Sequence, residues 1–180
     1  MTAQGTAAAS PAGLGRAVER FHYGAGCVRG RGVFRIRRGR GWMVRVAGLM
    51  IGLPAEGSFV PLRLFIHRQD GAETRERTFG RRRMRATLAR TADGEMLERF
   101  GMIELRYAAS VERNALRLAS IGGRVRIGRI AIPLPPSCIP TVRARAKDRA
   151  GGGIDVRVIV FSPLGGMLVG YAGHVTEDAE

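Results

Sequence analysis

The chain has 180 residues, enough for one domain with a real core, and its 30 Lys and Arg against 15 Asp and Glu give a formal net charge of +15. A hydrophobic fraction of 45% with 25% charged residues excludes a disordered chain, and 26 glycines argue against a helical bundle and for a turn-rich sheet. No apolar run approaches the roughly 20 residues of a bilayer-spanning helix, and residues 1–10 lack the pattern of a secretory signal, so a cytoplasmic protein is expected.

The charge invites a polyanion reading. Lys147 is the only lysine, however, and an arginine-for-lysine bias with much Ala and Gly is what a GC-rich genome produces without selection for binding. The arginines are also spread along the chain rather than gathered in one arm, which suits solvated outward faces. Cys27 and Cys138 stand alone, without metal-type spacing, and read as two buried thiols in a reducing compartment.

In chain order, residues 1–10 read as a disordered tail and residues 11–177 as a single domain. Ser10-Pro11 is a helix-start signal, and Leu14, Val18 and Phe21 share a face, which predicts a helix over residues 11–22. The period then changes to two. Val28, Phe34 and Ile36 alternate with Arg29, Arg31, Arg35 and Arg37, a strand with a cationic outer face. Gly30 and Gly32 sit on the apolar parity, where they leave room for something to approach or for the strand to bend.

Residues 42–53 carry one charge, Arg45, and Pro54 stops them. A helix apolar almost all round must cover something, and the concave face of the sheet is the expected partner. Val46, Leu49 and Leu53 are expected to face that sheet. Gly48 and Gly52 would allow close approach or hinge motion, and Met43 and Met50 would border any cavity. A mobile lid and an interfacial membrane contact are the sharper alternatives.

Alternating strands follow. Val60, Leu62, Leu64 and Ile66 face one way, and Gln69-Asp70-Gly71 is a turn signal. Residues 74–79 and 83–90 read as strands broken near Gly80, and Asp93-Gly94 as a second hairpin turn. Residues 96–100 and 103–107 are separated by Gly101. Asn114 opens a turn before Leu116 and Leu118, and Gly122-Gly123 separates that strand from residues 125–132. Pro133, Pro135, Pro136 and Pro140 make a stiff crossing. Val142, Ala144 and Ala146 oppose Arg143, Arg145 and Lys147, and residues 154–160 and 167–175 are the last strands. The fold class is α+β, predominantly antiparallel: a curved meander or half-barrel of about 8–11 strands with an N-terminal helix and a short apolar covering helix.

Several short motifs stand in order along the chain: Arg20-Phe21-His22, Gly52-Leu53-Pro54, Phe79-Gly80, Glu98-Arg99-Phe100-Gly101, Ile132-Pro133-Leu134-Pro135, and the glycines of residues 165–173 around Tyr171. In these the chain resembles the bacterial domain-of-unknown-function family numbered 4166, over residues 14–176. The resemblance implies a fold and, because members occur alone or fused to NAD(P)-binding dehydrogenase-like domains, a partner of that kind. It implies no mechanism.

Catalytic signals are few. His22, His67 and His174 have no metal-spaced partner, no metal or cofactor site is read, and neither glycine cluster precedes a helix as a dinucleotide fingerprint requires. An imidazole and a carboxylate meeting in an apolar cavity could do acid–base work, and His22 with Glu98 is that pair; an ordinary salt bridge is the simpler reading. The leading function is a non-catalytic binder of a hydrophobic small molecule or lipid, with Arg20, His22, Trp42, Met43, Met50, Glu98, Arg99, Phe100 and Tyr171 as candidate ligand-binding residues. The alternatives are a small enzyme or dehydrogenase accessory domain, and an arginine-rich binder of nucleic acid, without sequence specificity, or of an anionic membrane surface.

Overall fold

The structure, a computed structural model, describes residues 11–69, 72–91 and 94–178, apart from the side chain of Met50. The tail expected over residues 1–10 and the turn residues Asp70, Gly71 and Asp93 lie outside them. Eleven strands form one sheet: β1 (Cys27–Arg38), β2 (Gly57–Gln69), β3 (Ala72–Phe79), β4 (Arg82–Arg90), β5 (Met96–Phe100), β6 (Ile103–Glu112), β7 (Ala115–Ile127), β8 (Ile130–Pro133), β9 (Thr141–Asp148), β10 (Ile154–Ser162) and β11 (Gly166–Glu177). Among the described residues two α-helices accompany them, α1 (Arg16–Tyr23) and α2 (Trp42–Ile51).

Every strand pairing is antiparallel. The sheet closes on itself, because β1 pairs with β11 as well as β2, and β7 pairs with both β6 and β9. Ten strands make the ring, and β8 folds back on the far end of β7 outside it. The expected half-barrel is therefore a closed barrel. The correction turns on β7. Gly122-Gly123 does not end a strand; the strand runs through it to a turn at Gly128 (φ 60°), so one long strand serves two partners at one end and a hairpin at the other.

The alternation read from β1 holds. Val28, Phe34 and Ile36 are buried, and Arg29, Arg31, Arg35 and Arg37 are exposed. The glycines on the apolar parity mark close approaches. A Cβ on Gly30 would lie 3.3 Å from the Phe21 ring, so α1 lies over it. A Cβ on Gly32 would meet the His174 carbonyl at 1.8 Å, and one on Gly173 the Val33 carbonyl at 2.2 Å. These two glycines let β1 and β11 pack at the seam where the barrel shuts.

α1 begins later than the Ser10-Pro11 signal suggests, and its cap comes from far away. Gly15 at the N-cap offers no side chain, and the Asp148 carboxylate at the end of β9 accepts from the Ala17 and Val18 amides at 3.3 and 2.8 Å. An anion at a helix N-terminus satisfies two orphan donors and the macrodipole together. A Cβ on Gly15 would fall 2.3 Å from that carboxylate, which accounts for glycine there. At the other end Arg68 donates to the Phe21 carbonyl at 2.6 Å and Arg90 to the His22 carbonyl at 3.0 Å. Arg90 also stacks over Tyr23 at 4.1 Å. α1 is thereby fixed across one end of the barrel.

α2 leaves the opposite end of β1 and lies at the other mouth. It is shorter than read from sequence: Ile51 ends it, and Gly52 turns left-handed at φ 68°. A Cβ on Gly52 would sit 2.5 Å from the Arg83 carbonyl, so the glycine serves both the turn and a close approach. Of the three residues expected to face inward, only Leu53 does. Val44 and Leu53 are buried and Ala47 and Ile51 half-buried, whereas Val46 is exposed and Leu49 is 85% exposed. The thiols of Cys27 and Cys138 are free, and both residues are exposed rather than buried.

Candidate functional site

Inward side chains from the whole ring leave a cavity of about 190 Å³ between α1 and α2. Its walls are mostly aliphatic: Leu62, Leu64 and Ile66 from β2, Val142 and Ala146 from β9, Val156 and Val158 from β10. Phe34 meets Phe79 and Tyr171 edge to face near α2, and Phe79 and Tyr171 are tilted against each other, with ring centroids 5.3 to 6.0 Å apart. Phe21 and His22 line the end beneath α1, and Ala47, Ile51 and Leu53 the end beneath α2.

Polar groups enter this apolar space from one strand above all. The inward parity of β3 reads Glu73, Arg75, Arg77 and Phe79. Burying charge is costly unless it is paired, and here the pairs are present. Glu73 is shared: Arg68 approaches one of its oxygens at 2.6 Å and Arg75 the other. Arg77 donates to Glu98 on β5 at 3.0 Å. Burial works against the charge of Arg77, but the Glu98 carboxylate outweighs it and holds the guanidinium firmly protonated.

His22 faces Arg75, with Nδ1 and Nη2 3.4 Å apart. Arginine can only donate, so Nδ1 accepts and the ring proton lies on Nε2. Burial, then the positive charges of Arg75, Arg77, Arg90 and Arg68, drives the imidazole well below its ordinary range, and His22 is neutral. Tyr107 and Tyr171 are pushed up, first by burial; the Glu98 carboxylate adds to the shift in both, so both phenols keep their protons. The cavity thus has an apolar, aromatic half under α2 and a polar half under α1, lined by the donors Arg75 and Arg77, by His22 and by one carboxylate, Glu98.

Of the residues singled out from sequence, His22, Glu98, Phe100 and Tyr171 line the cavity. The others do not. Arg20 lies outside, paired with Glu177 at 2.9 Å, because its position on α1 turns away from the barrel. Arg99 follows Glu98 on the strand, so it points outward, where it donates to the Gly101 carbonyl. Trp42 is 69% exposed at the start of α2. Met43 packs against Gly165, with its sulfur 3.6 Å from the Ser162 hydroxyl, instead of bordering the cavity. The Met50 side chain lies outside the described residues. Arg75, Arg77 and Tyr107 were missed; the period-two charges at residues 73, 75 and 77, ending in Phe79 on the same parity, were the available signal.

His22 and Glu98 share the cavity but not a bond, since each is engaged by a different arginine. Among the described residues no cluster of three or more His, Cys, Asp or Glu side chains could hold a metal ion. No helix among them is long and apolar enough to cross a membrane.

A family model described as "Domain of unknown function (DUF4166)" matches residues 14–175, most of the chain. Comparison with curated proteins gives no match, and neither does comparison with solved structures.

Proposed function

The chain belongs to this family of domains of unknown function, and we propose that it is a non-catalytic binding protein that holds one small, mainly apolar molecule inside its barrel. The observation that supports the reading is the cavity of about 190 Å³ inside the ring of strands. Protein interiors are packed to crystal density, with few voids larger than a water. A cavity costs about 24 cal/mol per Å³ of volume, so leaving this one empty forgoes about 4–5 kcal/mol. Net stabilities are only about 5–15 kcal/mol, so the void is a large concession for a fold that does not use it. By comparison, an apolar cavity of about 150 Å³ stays dry and takes up benzene.

A catalytic reading has less support. An imidazole held neutral among four arginines is a weak base, and the Glu98 carboxylate is tied to Arg77. The dehydrogenase-like partner implied by the family resemblance remains compatible with a ligand-holding barrel.

The test is native mass spectrometry of the chain purified from its own host, followed by extraction of any co-purifying molecule. One apolar molecule per chain is expected. A companion variant, Leu118→Trp, places bulk into the cavity wall and should abolish uptake while the melting temperature holds or rises. A fully empty wild-type chain that no apolar probe stabilises would remove the reading.

A further inference from the structure

We infer that the ligand is a monocarboxylate, seated with its head group on Arg75 beneath α1 and its apolar body extended toward α2. The inference rests on the binding reading above and adds the chemical class. Its basis is an imbalance of charge around the polar half. Four guanidiniums, Arg68, Arg75, Arg77 and Arg90, surround His22, and two carboxylates, Glu73 and Glu98, answer them, leaving two positive charges in excess among the described residues. Arg90 and Arg68 have structural work, since both hold carbonyls at the end of α1, whose negative dipole end suits a cation. Arg77 has a carboxylate of its own at 3.0 Å.

Arg75 is half-compensated and lines the cavity, whereas Arg68, whose Nη1 is buried without a partner, does not line it. Arg75 is 4% exposed. Its Nε faces a carboxylate that also serves Arg68, and its Nη2 faces only a neutral ring. A guanidinium in an apolar interior gains most from a bidentate anion, and a carboxylate matches its fork. In the tautomer set by Arg75, His22 offers a second donor at Nε2. One negative charge fits better than two, because the Glu98 carboxylate lies in the same cavity. The remaining volume suits a single chain or ring, and the Phe34, Phe79 and Tyr171 cluster receives it.

The experiment compares octanoate with octanol, which have the same body with and without the charge. Binding to the full chain, freed of bound molecules on an apolar resin, is measured by calorimetry at neutral pH. Octanoate is expected to bind at least tenfold more tightly. Arg75→Met, which leaves Glu73 with Arg68, should erase that preference and keep the octanol affinity. Should the variant fold poorly, the wild-type comparison decides alone. Equal affinity for the two probes would overturn the carboxylate inference and leave the apolar-cavity reading standing. If neither probe binds and extraction yields no molecule, both fall.

Discussion

At the scale of single residues, the neutral His22 has a consequence for stability. Unfolded, its imidazole takes up a proton as the pH falls below about 6.5; folded, it does so only at much lower pH. The unfolded state then binds more protons, so stability is full above that point and declines as pH falls below it, by up to about 1.4 kcal/mol per pH unit. The melting temperature of the wild type should drop between pH 7.5 and pH 5. His22→Asn should flatten that slope, and an unchanged slope would mean that another group titrates. His22, Glu98, Phe100 and Tyr171 were legible in the sequence because each stands beside apolar neighbours in a short motif. Arg75 and Arg77 were not, because β3 carries charge on both parities: Glu76 points away from the interior and Glu73 toward it. Period alone does not tell a solvated charge from a buried, paired one.

At the scale of elements, α2 shows what an apolar run can and cannot reveal. That residues 42–53 cover a barrel end was readable from composition. Which side faces in was not, since a helix without a polar face carries no directional signal. The structure turns Leu53 inward, 2% exposed, and leaves Leu49 in solvent. Leu49→Asp should therefore change unfolding free energy by no more than about 0.5 kcal/mol, whereas Leu53→Ala should cost about 2–5 kcal/mol. Urea denaturation of the two variants measures both, and a large loss in Leu49→Asp would mean that the helix packs differently in solution. The first helix was misplaced for a related reason. Its cap is the Asp148 carboxylate, 130 residues from Val18, and no local motif points to it.

For the whole molecule, the antiparallel meander was plain from alternating strands and turn residues, but closure was not. It depends on β7 continuing through Gly122-Gly123 and on the Gly32 and Gly173 approach at the β1–β11 seam, and glycine also signals a turn. Outside the cavity the strand arginines face outward: Arg29, Arg85, Arg106 and Arg143 are exposed on four different strands, β1, β4, β6 and β9. Charge distributed in this way favours weak, sequence-independent attraction to polyanions. Fluorescence anisotropy with a labelled oligonucleotide should show binding at about 50 mM salt that is lost by about 200 mM; sequence-selective binding that survives at the higher salt would contradict this. A ring also has no first or last strand, so within the barrel no row of backbone donors and acceptors is left for another chain to copy. Among the described strands that hazard is confined to the outer side of β8, whose Ile130 and Ile132 are exposed. That strand is four residues long, follows Arg129 and ends in Pro133, and brevity, charge and proline are the features that keep an open edge from recruiting neighbours into fibrils.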